Sequence, residues 1–266
     1  MSDKINAGGM NRIGAHSSRE SLTFRDMVRD VLRECTSLEA AAQRLVETLY
    51  EEFTDSIVLT RCFVTVPYRD LPATNRKFVD ELACSKGIAT QISDETPVLT
   101  LLGTRGVHAD WNDRHQSKNH VAIPLASADF VETVPMIARL LKELEVKLEW
   151  LSKVDTAGFS EKRLGGGLIG VFYVREAAAA TDQHGRLIIP AEDFVAENQI
   201  KTVFGLGGIY AQGTLFTLLV FARDIIDKAQ IACLTPLVPL IAANTSHLVR
   251  HGKLFAEIGA FSRHQF

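Results

Sequence analysis

With 266 residues, 46% of them hydrophobic and 23% charged, the chain has the composition of an ordinary globular protein. A large core is therefore within reach without metal or disulfide support. The net charge of −3 leaves no basic footprint for nucleic acid and excludes a general nucleic-acid binder. The four cysteines, Cys35, Cys62, Cys84 and Cys233, are scattered with no C-x-x-C pair. They read as small buried hydrophobes in a reducing, cytoplasmic setting.

Residues 1–20 are polar, rich in Gly and Ser and without an apolar leader core, so they are expected to form a disordered arm. One folded unit is expected over 21–253, with a tail at 254–266. Phe24, Met27, Val28, Val31, Leu32 and Cys35 recur at helical spacing, and so do Leu38, Ala41, Ala42, Leu45, Val46, Leu49 and Phe53. With Ser37 as an N-cap, these predict two consecutive amphipathic helices. Residues 57–66 are β-branched and aromatic and stop at Pro67, which predicts a strand. Arg61 in its middle is placed on one face with Ile57, Leu59 and Phe63. There it needs an acidic partner, a bound anion or a route to the sheet edge.

A short helix is predicted over 74–84 and a strand over 98–102, closed by a turn at Gly103-Thr104-Arg105-Gly106. The polar loop to His120 follows, then a strand over 121–125. Ser127 and Asp129 open a long helical region in which Val134, Ile137, Leu141, Leu144, Leu148 and Leu151 form a heptad-like seam. Strands are predicted over 168–174 and 186–189, the second following a turn at 182–185. A helix begins near Pro190, and a hairpin joins 203–210 to 215–222. The last helix is capped by Asp227 and broken by Pro236 and Pro239. Its apolar stretch is too interrupted for a membrane span, so no membrane insertion is expected.

This order of elements is not a βαβ alternation. It predicts an α+β fold with a central antiparallel sheet flanked by helices, with Leu59, Phe63, Ile123, Val171, Tyr173, Leu218 and Val220 in the core. Gly165, Gly167 and Gly170 match G-x-G-x-x-G, but a strand follows them where a dinucleotide fingerprint needs a helix. Gly205, Gly207 and Gly208 suggest a bulge, or close approach by another group. The chain carries no G-x-S-x-G and no H-E-x-x-H, which leans the reading away from an enzyme.

The loop 103–120 holds the concentrated chemistry. His108, Asp110, Trp111, His115 and His120 lie within a few residues of one another. His108, Asp110, His115 and His120 are of the types that ligate zinc, iron or copper. A metal site, haem ligation, and a solvated lid over a pocket all remain open. Arg61 is the candidate anion partner beneath the loop.

Two segments carry a family resemblance. His120-Val-Ala-Ile-Pro-Leu125 resembles the strand that ends in a "vPl" turn in GAF-type sensory domains, and Gly167-Leu-Ile-Gly-Val-Phe-Tyr-Val174 resembles the strand that normally follows it. The helix between them departs from the pattern. The resemblance loosely covers residues 22–249. It implies an antiparallel sheet of about six strands, a small-molecule or prosthetic-group pocket on one face, and dimerisation through terminal helices. A cytoplasmic ligand-sensing module that acts through a partner protein, as a homodimer, is therefore the leading expectation. A non-catalytic scaffold is the alternative, and an enzyme of unknown class comes third. No specific cofactor follows.

Overall fold

The computed structural model describes residues 12–15, 18–117, 120–146, 170–210 and 213–256. Its centre is a six-stranded, wholly antiparallel sheet. The strands are β1 (Ile57–Pro67), β2 (Pro97–Gly106), β3 (Ala122–Pro124), β4 (Gly170–Val174), β5 (Thr202–Ile209) and β6 (Leu215–Ala222), in the spatial order β3-β2-β1-β6-β5-β4. The α+β class and the antiparallel sheet agree with the sequence reading.

On one face lie α1 (Ser18–Arg33), α2 (Leu38–Glu52) and the closing helix α8 (Leu237–Arg250). Their apolar stripes bury Phe24, Val28, Leu45, Leu49, Ile241 and Leu248 against Cys62, Val64, Leu218 and Val220. Ser37 caps α2 as expected, its Oγ accepting from the Ala40 N–H at 3.1 Å. The segment Lys228–Arg250 is by length and composition apolar enough to cross a membrane. In the fold it is divided into α7 (Lys228–Ile231), a 3-10 turn and α8, and its apolar side chains enter this core.

The opposite face carries a second core built on Leu59, Phe63, Leu99, Leu101, Phe172, Val203 and Leu219. It is covered by α4 (Ala128–Glu132), α5 (Pro135–Glu143) and α6 (Glu192–Glu197), with α3 (Ala73–Ser85) beside β3. The continuous seam expected from 134 to 151 does not form. Thr133 closes α4, Pro135 restarts the chain at the first turn of α5, and Glu145 adopts a left-handed backbone with φ of 56°. Ile137, Leu140, Leu141 and Leu144 are buried in the protein's own second core, and the remainder of the seam lies outside the described residues.

Other local expectations are corrected. Gly103–Gly106 is not a turn but the end of β2. A Cβ on Gly103 would lie 2.5 Å from the Ala42 carbonyl carbon and oxygen, so glycine there lets α2 settle directly on the strand. Gly205, Gly207 and Gly208 sit in unbroken register with β6. They make room for Leu219, Leu144 and Val238 rather than forming a bulge. Residues 186–189 form a single bridge, Thr181 to Leu187, instead of a strand. Gly170, Phe172 and Val174 are the buried residues of β4, while Val171 and Tyr173 are half-buried. Residues placed in the expected arm and tail also make contacts with the folded body. Ile13 is buried in the helical core, Arg12 pairs with Asp224 at 2.8 Å, and Leu254 and Phe255 pack on the body. Of the cysteines only Cys62 is fully buried, which pushes its thiol up to about 12, and Cys84 is exposed.

Where strands lack a neighbour, helix side chains take its place. Beyond the reach of β3, Gln43 of α2 accepts from the Thr104 N–H (3.1 Å) and donates to the Thr104 carbonyl (3.2 Å). On β4, Glu143 accepts from the Tyr173 N–H (2.8 Å), and Arg139 donates to the Tyr173 carbonyl (2.7 Å). Arg139 and Glu143 are themselves paired across one turn of α5 at 3.1 Å. Main-chain groups that would otherwise template another strand are thus occupied.

Candidate functional site

The polar loop after β2 does not gather its residues at one point. It runs across the end of the sheet and contacts three separate regions. At its start the His108 ring stacks edge-on to Trp111 with centroids 4.4 Å apart, and His108 Nε2 lies 3.0 Å from Asn198 Oδ1. Trp111 packs over Gly106 and continues through Phe194 of α6 to Phe221 of β6, each ring step 5.5 Å and edge-on. This end is an aromatic latch onto α6. Asp110 is exposed in the 3-10 turn Ala109–Trp111.

In the middle the chain makes a second 3-10 turn, Arg114–Gln116, started by Asp113, whose carboxylate accepts from the His115 N–H at 2.8 Å. Arg114 is the anchor here. Its Nε donates to Glu39 Oε1 at 2.6 Å with both side chains largely buried, at 6% and 13% exposure. His115, mostly exposed, has its Nε2 3.4 Å from the same oxygen. A buried Arg–Glu pair had no local sequence signal, because its partners are 75 residues apart.

The far end reaches the second face of the sheet. Ser117 Oγ accepts from Arg61 Nη2 at 3.0 Å. Arg61 shares its face with Leu59 and Phe63, but Ile57 points the other way because β1 slips one residue against β6 between Ile57 and Leu59. Burial lowers the Arg61 guanidinium to about 10, so it remains a cation at neutral pH. His120, with φ of 56°, borders a cleft of about 610 Å³ between the C-terminal end of α3, β3 and α4. Leu82, Ile88, Ile123 and Phe130 supply its apolar walls, and Lys86, Gln91, Asp129 and Thr133 its polar ones.

Of the sequence candidates, His120 alone lines this cleft, with Arg61 close enough to act on its charge. His108 and Trp111 belong to the latch, and His115 to the Glu39 pair. His108, Asp110, His115 and His120 therefore do not form a metal set. Among the described residues no three His, Cys, Asp or Glu side chains gather where they could hold a metal ion. The cleft walls from α3 and α4 were missed, since nothing local marks Lys86, Gln91 or Thr133 as neighbours of His120.

His120 gives a pH signature. His120 is exposed at the protein surface, yet desolvation by the surrounding chain, and then the positive charge of Arg61, lower its pKa below the usual 6.5. The folded protein therefore binds this proton less readily than the unfolded chain does. The contribution of His120 to stability is full above about pH 6.5 and falls as the pH drops from there toward the depressed folded value. Urea midpoints measured across this range should show that decline, and His120→Gln should flatten it. An unchanged slope in the variant would remove His120 as its source.

The sheet order and the helices on its two faces define an open, six-stranded antiparallel α+β fold. Among solved structures, the chain is similar to the GAF domain of a phosphoenolpyruvate-protein phosphotransferase from Coxiella burnetii. That likeness has 12% identity and a TM-score of 0.46, and covers 90% of this chain and 100% of that one. The corresponding Acinetobacter domain matches at 11% identity and a TM-score of 0.44, over 88% of this chain and 98% of that one. A phycoerythrobilin-bound GAF domain from a cyanobacterial phytochrome matches at 11% and 0.44, over 87% and 98%. No protein-family model matches the chain, and no curated protein matches it.

Proposed function

We propose that the protein is a ligand-sensing module that binds a small molecule in the cleft bordered by His120 and passes the state of that cleft to a partner protein. The observation that carries this reading is the cleft itself. A concave space of about 610 Å³ with mixed apolar and polar walls adjoins the second face of the sheet, beside the half-buried cation of Arg61. That combination suits capture of a small molecule with a polar group to orient it. We place the protein in the cytoplasm as a homodimer, on the strength of its free thiols and of the terminal-helix dimerisation that the resemblance implies.

Thermal unfolding against a metabolite panel tests the binding claim. A ligand at about a hundredfold excess over its Kd should raise the Tm by about 5 °C. Gln91→Trp, which fills the cleft from an exposed position, should abolish that rise without lowering the Tm of the free protein. Silence across the panel in both thermal and chemical-shift titrations would reject the reading, and so would a ligand indifferent to Gln91→Trp.

A further inference from the structure

The chain leaving α8 does not drift away. Gly252, with φ of 65°, turns it back, and the Lys253 N–H bonds to the Leu248 carbonyl at 2.9 Å in a Schellman-type helix ending. The next residues then lie along the start of α2. The carbonyls of Lys253 and Leu254 accept from the N–H groups of Leu38 and Glu39 at 2.8 and 2.9 Å, donors that a helix's first turn leaves without partners. The Ala256 N–H donates to Glu39 Oε2 at 2.9 Å, while Oε1 of the same carboxylate takes Arg114. The Arg114 guanidinium in turn stands 5.5 Å from the centre of the Phe255 ring. One carboxylate therefore joins the C-terminal strap at 253–256 to the loop after β2.

That loop's other end is at the cleft. Arg114 and Ser117 bracket a single 3-10 turn, and Ser117 is bonded to Arg61 three residues before His120. We propose that the strap reports on the cleft. A change at His120 and Ser117 is carried by the rigid turn 114–116 to Arg114, loosens or tightens its grip on Glu39 and Phe255, and so releases or holds residues 253–256. Coupling of this kind requires a contact that both ends can bias, and the Glu39 carboxylate is bonded to both of them. By linkage the coupling is reciprocal, so tension on the strap alters the cleft in turn. The inference rests on the sensing reading for its stimulus, but the mechanical coupling belongs to the chain without any ligand.

Amide hydrogen exchange of the full chain, resolved by NMR, tests it from both ends. His120→Ala should speed exchange at Ala256, Leu38 and Glu39 by about tenfold. Phe255→Ala should speed exchange at residues 113–117 and shift the His120 ring resonances. Arg12→Ala, which removes an exposed ion pair with Asp224, should do neither. Glu39→Gln gives the same readout if Phe255→Ala does not fold. Strap exchange unaffected by His120→Ala, or a loop unaffected by loosening the strap, overturns the proposal. A ligand panel that fails while the two ends remain coupled counts against the sensing reading alone. Ligand binding with uncoupled ends counts against the strap alone.

Discussion

Gly103→Ala should destabilise the protein by about 3 kcal/mol or more, at the upper end of overpacking effects, although it adds a single methyl group. The added carbon would sit 2.5 Å from the Ala42 carbonyl carbon and oxygen and 2.7 Å from the Gln43 nitrogen. These are backbone atoms in the middle of α2, so no side-chain rotation relieves the clash. Relief requires lifting α2 from β2, which opens the first core around Leu45 and Leu49 and breaks both bonds of Gln43 to Thr104. Urea unfolding of the variant measures the loss, and a midpoint within error of the wild type would show that α2 can shift freely. Gly87→Ala is the matched control. Gly87 lies in the left-handed region with φ of 69° but with nothing within 4 Å of an added carbon, so its cost is only the backbone preference, about 1 kcal/mol.

Arg114→Ala should cost about 3–5 kcal/mol, the usual penalty for removing one partner of a buried ion pair. Glu39 would keep its bond from Ala256 and its proximity to His115 but lose the charge-assisted bond at 2.6 Å. Its carboxylate would then remain mostly buried with too little compensation. The double variant Glu39→Gln with Arg114→Leu removes both charges and should recover part of the loss, because a neutral pair has no desolvation penalty to offset. Denaturant midpoints for Glu39→Gln alone, Arg114→Leu alone and the double close the cycle. A double variant as unstable as the sum of the singles would mean that the two groups act independently.

The helices and strands were legible because each leaves a periodic record over neighbouring residues. Leu45 and Leu49 report a helix face, and the alternation of Cys62 with Phe63 reports two covered faces of one strand. Glycine was legible only as an exception. Gly103 and Gly106 look like a turn, and only the position of α2 and Trp111 shows that they are strand residues under close-packed neighbours. The seam from Val134 looked continuous because its spacing carries no signal of the left-handed residue Glu145, just before which α5 ends. At the site, local density was the wrong guide. The loop's histidines are crowded in sequence but diverge in space, since the chain between His108 and His120 crosses from α6 to the start of α2 and back to β3. The pair that anchors it, Glu39 with Arg114, belongs to two segments that only the fold brings together.

The helix side chains that occupy Thr104 and Tyr173 have a further consequence for how this molecule can assemble. Fibrillar stacking and strand-exchange both begin when a foreign segment finds a row of open amide and carbonyl groups to copy. On one flank β3 is only three residues long and contains Pro124, which has no amide to offer, and Gln43 plugs the stretch of β2 beyond it. On the other flank Arg139 and Glu143 plug β4. Among the described residues, growth by adding strands is therefore blocked at these positions. Arg139→Ala with Glu143→Ala would free the Tyr173 amide and carbonyl, leaving that edge open to a further strand.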